Sequence, residues 1–223
     1  MAFPTIQTAD TKNGTVVSNS NSWTLTYPTN LVSGNLLVAF IAADGGPSFT
    51  YPAGWVITTV LEGDVALNIA KKLSDGTETG NFTVSLSASE QGAWRIFRIT
   101  GWEGTLGTVF GNNASSGSVE AISSSSFVGG ATANPDPANL DPNNWATEDT
   151  LWFAACGVDT SRTISVYPLA DNNTADVSGG AGGATLGVCT TNSAVSSLDP
   201  GTFTISNSDD WGCFTVAVRP AAA

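Results

Sequence analysis

The feature that most constrains this chain is a pattern it states twice. From Ser33 to Trp102 come the unbroken apolar run Leu36 to Ala43, the turn Tyr51-Pro52-Ala53-Gly54-Trp55, the run Val65 to Lys72, the stretch Phe82 to Leu86 and a closing apolar stretch, Ala93 to Thr100. From Glu148 to Pro220 the same order returns as Thr150 to Val158, Val166-Tyr167-Pro168, Thr185 to Thr190, Thr202 to Ser206 and Gly212 to Arg219. Matching Leu37 with Leu151 gives an offset of 114, and matching Phe82 with Phe203 gives 121, so residues were inserted between the matched strands. Such drift belongs in turns, where extra length costs little. Neither apolar run has a polar face, so neither unit can cover itself, and the economical fold packs the two over one core. The expectation is therefore all-β: an antiparallel β-sandwich (jelly-roll-like) built from two duplicated β units. It forms one domain over residues 1–223, with unit 1 at about 33–102, a crossover at 111–144 and unit 2 at about 148–220.

Local signals agree with strands separated by turns. Trp23, Leu25 and Tyr27 alternate on one face before Pro28, as in a half-buried strand. TIQTA and GTVVS, and the runs Phe49 to Tyr51, Trp55 to Leu61 and Val65 to Lys72, read as further strands. Between them, Asp44-Gly45, Pro52-Ala53-Gly54, Glu62-Gly63-Asp64 and Asp75-Gly76 have turn chemistry. The crossover is rich in Ser, Gly, Asn and Pro. One or two edge strands fit around Ser118 to Val128, but Asn134-Pro135-Asp136-Pro137 cannot enter a central ladder, because proline donates no backbone hydrogen bond. Gly179 to Gly183 reads as a flexible loop.

Composition bounds the function classes. Charged residues make up 12% against 41% hydrophobic, too apolar for a disordered chain, and the scarcity of Lys, Gln and Met disfavours helix. The net charge of −12 would repel a polyanion, so nucleic acid is not expected as a partner. No apolar stretch is long enough for a membrane-spanning helix and no signal peptide is legible, so synthesis and retention in one compartment, with no membrane partner, is expected. Cys156, Cys189 and Cys213 lie in apolar strand patterns and read as buried free thiols.

The candidates for chemistry are few. Histidine is absent, which removes the commonest general base and metal ligand. A glycosidase needs two converging carboxylates. Asp44, Asp75, Asp136, Asp141 and Asp199 instead adjoin Gly or Pro as turn caps, leaving Glu78, Glu90, Glu103 and Glu148 as the carboxylates whose separations matter. Asp136, Asp141 and Asp149 form a loop cluster of hard oxygen ligands, but with no EF-hand spacing. Trp23, Trp55, Trp94, Trp152 and Trp211 sit in or at strands. That leaves Trp102 and Trp145 as the expected exposed aromatics, able to stack on a sugar ring. No catalytic, cofactor-binding or metal residue is assigned, and no enzymatic activity or cofactor is expected.

The motifs Ser33-Gly34-Asn35-Leu36-Leu37-Val38, Tyr51-Pro52-Ala53-Gly54-Trp55, Asp75-Gly76-Thr77-Glu78, Ser89-Glu90-Gln91 and Arg98-Ile99-Thr100-Gly101 resemble a set of β-rich virion proteins from tailed bacteriophages and prophages. In the second half Asn134-Pro135-Asp136-Pro137, Asp149-Thr150-Leu151-Trp152, Gly201-Thr202-Phe203-Thr204 and Thr215-Val216-Ala217-Val218-Arg219-Pro220 are similar to the later signatures of that set. Lys71-Lys72 departs from it, since an aromatic beside a basic residue is expected there. The resemblance covers roughly residues 33 to 220 and rests on turns, strand starts and core aromatics. It implies a virion location and a structural role, foremost a capsid decoration (cement) or head accessory protein that contacts the major capsid protein or other virion proteins, and a homo-oligomer is expected. The alternative it leaves open is a glycan- or receptor-binding, lectin-like module of a tail or head fibre.

Overall fold

The computed structural model describes residues 1–62, 64–110, 117–126, 132–179 and 182–222; parts of the crossover and of the Gly179 to Gly183 loop fall outside them. Apart from a 3-10 turn at Thr8–Asp10, all regular structure in the described residues is β. The first half supplies β1 (Thr5–Ile6), β2 (Lys12–Thr26), β3 (Leu36–Asp44), β4 (Phe49–Thr50), β5 (Trp55–Glu62), β6 (Val65–Leu73) and β7 (Asn81–Thr100). The second half supplies β8 (Val119–Ser126), β9 (Glu148–Val158), β10 (Ile164–Val166), β11 (Asp171–Val177), β12 (Thr185–Val195), β13 (Thr204–Ile205) and β14 (Trp211–Val218). No described helix is long and apolar enough to cross a membrane.

The strands form antiparallel sheets that pack as a β-sandwich. Each large sheet is drawn from one half of the chain. The first runs β7-β3-β6-β5, with β1 and β2 beside β7, and the second runs β8-β14-β9-β12-β11. Position by position, β3 answers to β9, β5 to β11, β6 to β12 and β7 to β14. Even the small pairings recur: β4 pairs the first part of β7, and β10 pairs β13.

Side-chain alternation sets the register of this correspondence. Leu36, Val38, Phe40 and Ala42 of β3 face Leu151, Phe153 and Ala155 of β9 across the shared core, joined by Leu67, Phe97, Ile99, Leu186, Val188, Phe214 and Val216. Leu36 therefore matches Leu151, 115 residues on, rather than Leu37 at 114 as the sequence suggests. Leu37 lies one step along, on the other face of its strand. Because both strands are apolar on both faces, composition could not fix a register that a one-residue slip inverts. In β6 and β7 the offset is 119: Leu36 pairs Leu73 and Ile99, while Leu151 pairs Asn192 and Val218. The four extra residues therefore enter between β9 and β12, the stretch that contains the glycine-rich loop.

Each sheet also needs a cover on its outer face. On the first, β7 runs past its pairing with β3 and, with β2, lays Trp23, Leu25, Phe82, Val84 and Leu86 over Ala39, Ile41 and Ala43. The two strands expected at Phe82 to Leu86 and Ala93 to Thr100 are one continuous strand. It turns away from the sheet near Gly92, where a Cβ would lie 2.1 Å from the Ala42 carbonyl oxygen and 2.4 Å from the Trp23 ring. On the second sheet the corresponding path stays broken into β13 and β14. Phe203, Ile205, Ile164, Leu140 and Trp145 there cover Trp152, Ala154 and Cys156. β11, Asp-Asn-Asn-Thr-Ala-Asp-Val, carries no apolar alternation and was not legible as a strand; the ladder of β12 draws it in.

Candidate functional site

Three chain segments meet at the end of the sandwich where β7 and β14 run out. Trp102 bridges to Pro220, the Glu103 N–H donates to the Arg219 carbonyl (3.1 Å), the Arg219 N–H donates to the Ser118 carbonyl (2.8 Å), and the Ser118 N–H donates to the Thr105 carbonyl (3.0 Å). With the turn at 142–145 they enclose a cleft of about 420 Å³, lined by Glu103, Thr105, Ser118, Asn143, Asn144, Trp145 and Arg219.

The charged groups of this cleft are already paired. Arg219 Nε donates to Glu148 Oε2 at 2.7 Å, and Nη2 of the same guanidinium donates to Oε1 of the same carboxylate, the two-pronged match of fork to carboxylate. The hydrogen bonds that Arg219 donates to Glu148, and the charges of Glu148 and Glu103, raise the Arg219 pKa. Glu103 accepts from the Ser118 hydroxyl and from the Thr105 N–H, and the Ser118 bond leads in holding its pKa below the usual carboxylate range. Of the four glutamates singled out in the sequence, Glu103 and Glu148 are thus brought together, on either side of one arginine. A glycosidase acid needs a raised pKa so that it holds a proton at working pH. Glu103 moves the opposite way, and the arrangement is a clasp in which one guanidinium lies between two carboxylates.

The other two glutamates sit elsewhere. Glu78 caps its own turn, accepting from the Ser74 hydroxyl at 2.6 Å and from the Gly76 N–H at 3.2 Å, and pairs with Lys72 at 3.2 Å. Glu90 lies in β7, where burial and the charge of Asp44 raise its pKa. It belongs to a second carboxylate group at the opposite end of the sandwich. Asp44 at the end of β3 and Asp159 just after β9 occupy equivalent positions in the two units. Burial pushes Asp159 up to about 8, helped by a hydrogen bond with Asp44 and by the charges of Asp209, Asp44 and Asp64. Asp209 is itself held by Arg162 Nε (2.7 Å) and the Thr160 hydroxyl (2.6 Å). Among the described residues no three His, Cys, Asp or Glu side chains are arranged to hold a metal ion. That covers Asp136, Asp141 and Asp149 as well.

Two expectations about aromatics need correcting. Trp102 and Trp145 are both buried, at 6% and 8% exposure. The Trp102 indole N–H donates to the Gly34 carbonyl, and the Arg219 guanidinium stacks 5.6 Å from the Trp145 ring centre. Adjacent Gly and Asn placed these rings at chain turns in the sequence, but turn position does not set exposure when two loops close over each other. Neither ring is a free platform for a sugar.

Lys71, one half of the Lys71-Lys72 departure noted in the sequence, is fully buried against Val109 and Val119. Its ammonium donates to the Val109 carbonyl (2.8 Å) and the Val119 carbonyl (3.1 Å) and lies 4.7 Å from the Phe110 ring centre. Burial lowers its pKa to about 8, against the opposing pull of Glu120. The sequence marks the pair but not which lysine is buried, since Lys71 and Lys72 differ only in which face of β6 they occupy. All three cysteines are buried free thiols as expected, and burial pushes Cys189 up to about 12.

Against protein-family models, curated proteins and solved structures alike, the chain finds no match.

Proposed function

We propose that this protein is a virion structural protein of a tailed phage or prophage, acting by protein–protein contact, foremost as a capsid decoration or head accessory protein. The observation that carries the reading is the clasp. The carboxylates at this cleft are spent on Arg219, Ser118 and the Thr105 N–H, so they hold loops together rather than being poised for proton transfer. Together with the apolar covers over Ala39 and Ile41 on one sheet and over Trp152 and Ala154 on the other, this supports a protein that works by its surface. A decoration protein stabilises a shell by binding the assembled form, a mass-action effect. Phage particles lacking the protein should lose heat resistance, and labelled protein should decorate the head. Unchanged heat resistance with label confined to the tail rejects the decoration reading.

A second reading, a glycan- or receptor-binding module, is favoured by the two asparagines, Asn143 and Asn144, that line the cleft. A glycan array decides it. A hit abolished by Asn143→Ala and Asn144→Gly, with the fold retained in thermal melts, would move the function to recognition.

A further inference from the structure

We infer that β5 is a self-association edge: two copies of this chain pair antiparallel along it, about a two-fold axis through Thr59. This concerns the strand itself and holds whether or not the virion reading does.

The duplication supplies the comparison. β5 and β11 are equivalent edge strands, one closing each sheet. β11 carries several devices that keep an edge from pairing. Its ladder is broken between Asp171 and Thr174, Asn172 takes a left-handed φ of 51°, and its inward-facing Asp176 is tied to Arg95 at 2.8 Å. β5 carries none of these. Its ladder with β6 is continuous from Trp55 to Glu62, and no charge, glycine or proline interrupts Trp-Val-Ile-Thr-Thr-Val-Leu. Among the described residues no strand pairs its outer side.

The face pattern selects a second copy as occupant. Val60 packs into the shared core, whereas Ile57, Thr59 and Leu61 stand on the outer face, opposite Ala70, Asn68 and Ala66. Ile57 is 40% exposed and Leu61 52%. A two-fold axis normal to the sheet must place like-facing residues opposite each other. Centred on Thr59, it sets Thr59 against its own copy and Ile57 against Leu61 of the second copy, twice, so the exposed apolar side chains cover one another. The ends of the strand also bring opposite charges near one another, with Lys72 already held by Glu78 at 3.2 Å. The Lys72 ammonium lies beside Gly54, with a Cβ built there only 2.8 Å from it, and exposed Asp64 stands at the other end. The same axis brings Asp64 of each copy opposite Gly54 of the other, next to Lys72.

Sedimentation velocity of the full chain over a wide concentration range tests this. A reversible dimer is expected, and the double variant Ile57→Lys and Leu61→Lys, which sets lysine against lysine twice, should weaken it by roughly a hundredfold or more. Both positions are exposed, so the melting temperature should stay near that of the parent, which separates lost pairing from lost folding. Thr59→Cys should cross-link under mild oxidation, since opposed residues on paired strands lie within disulfide reach, whereas Ile57→Cys should not. The native thiols are buried and should not compete. A monomer at every concentration, a dimer indifferent to the lysine pair, or equal cross-linking from positions 57 and 59 overturns the inference.

Discussion

β3 ends in Asp44-Gly45 and β9 is followed by Asp159-Thr160, and the two units treat these equivalent positions differently. Gly45 takes φ 70° at little cost, whereas Thr160 takes φ 72° in spite of a branched Cβ, with its hydroxyl bonded to Asp209. The same contrast runs through the sandwich. One unit covers its outer face with an unbroken 20-residue strand, and the other with short strands and loop. One presents an open edge in β5, and the other a guarded edge in β11. On the inner face, Lys71 stands in one unit where Thr190 stands in the other. A duplicated topology thus leaves strand order alone while edges, covers and ends diverge, because strand order rests on a whole ladder and the rest on single side chains.

The comparison can be broken most forcefully at the two covers. Trp23→Ala on the first sheet and Phe203→Ala on the second should each cost about 3 to 5 kcal/mol in urea unfolding, since both side chains are fully buried. A cost below about 1 kcal/mol for either would show that its cover is an appendage rather than core. Converting Lys71 to the residue of the other unit, Lys71→Thr, should cost about 2 to 3 kcal/mol at neutral pH. It leaves the Val109 and Val119 carbonyls without their donor.

The Asp44–Asp159 pair gives a prediction with a pH sign. The folded pKa of Asp159, about 8, lies above its ordinary value of 3.8, so the folded state holds a proton that the unfolded state releases between those values. Its contribution is fully favourable below pH 3.8 and is lost as pH rises through 8. Asp159→Asn should therefore stabilise the protein by roughly 1 to 2 kcal/mol above pH 8, with the gain vanishing in acid. A gain independent of pH would deny that folded Asp159 holds a proton. Smallest of all, Thr160→Gly should be more stable than Thr160→Ala by about 1 kcal/mol in thermal melts, because both lose the hydroxyl but only glycine relieves the left-handed backbone.

Much of the architecture was legible. Apolar runs without alternation announced β3 and β9 as doubly covered strands, and Asp75-Gly76 marked a turn in which Asp75 accepts from the Thr77 N–H at 2.7 Å. The candidate cleft was legible only in pieces. Glu103, Glu148 and Trp145 each stood out as a residue type, but Arg219 looked like the end of a strand. Nothing in the spacing said that one guanidinium would join them, since residues 103, 145, 148 and 219 meet only through closure of loops distant in sequence. β11 failed for a related reason: its strand state comes from the hydrogen bonds that β12 offers, with no apolar pattern of its own.

The sequence by itself determined that the chain is all-β, that its pattern is stated twice, and that buried thiols and an acidic, histidine-free composition narrow its chemistry. Those conclusions follow from composition and from periodicities of two to a few tens of residues, which act locally. Only the tertiary structure decided the register between the units, the burial of Trp102 and Trp145, the raised pKa of Asp159 and the difference between an open and a guarded edge. Each of these depends on which side chain faces which across a gap between sheets or loops, and a shift of one residue in a strand reverses the answer.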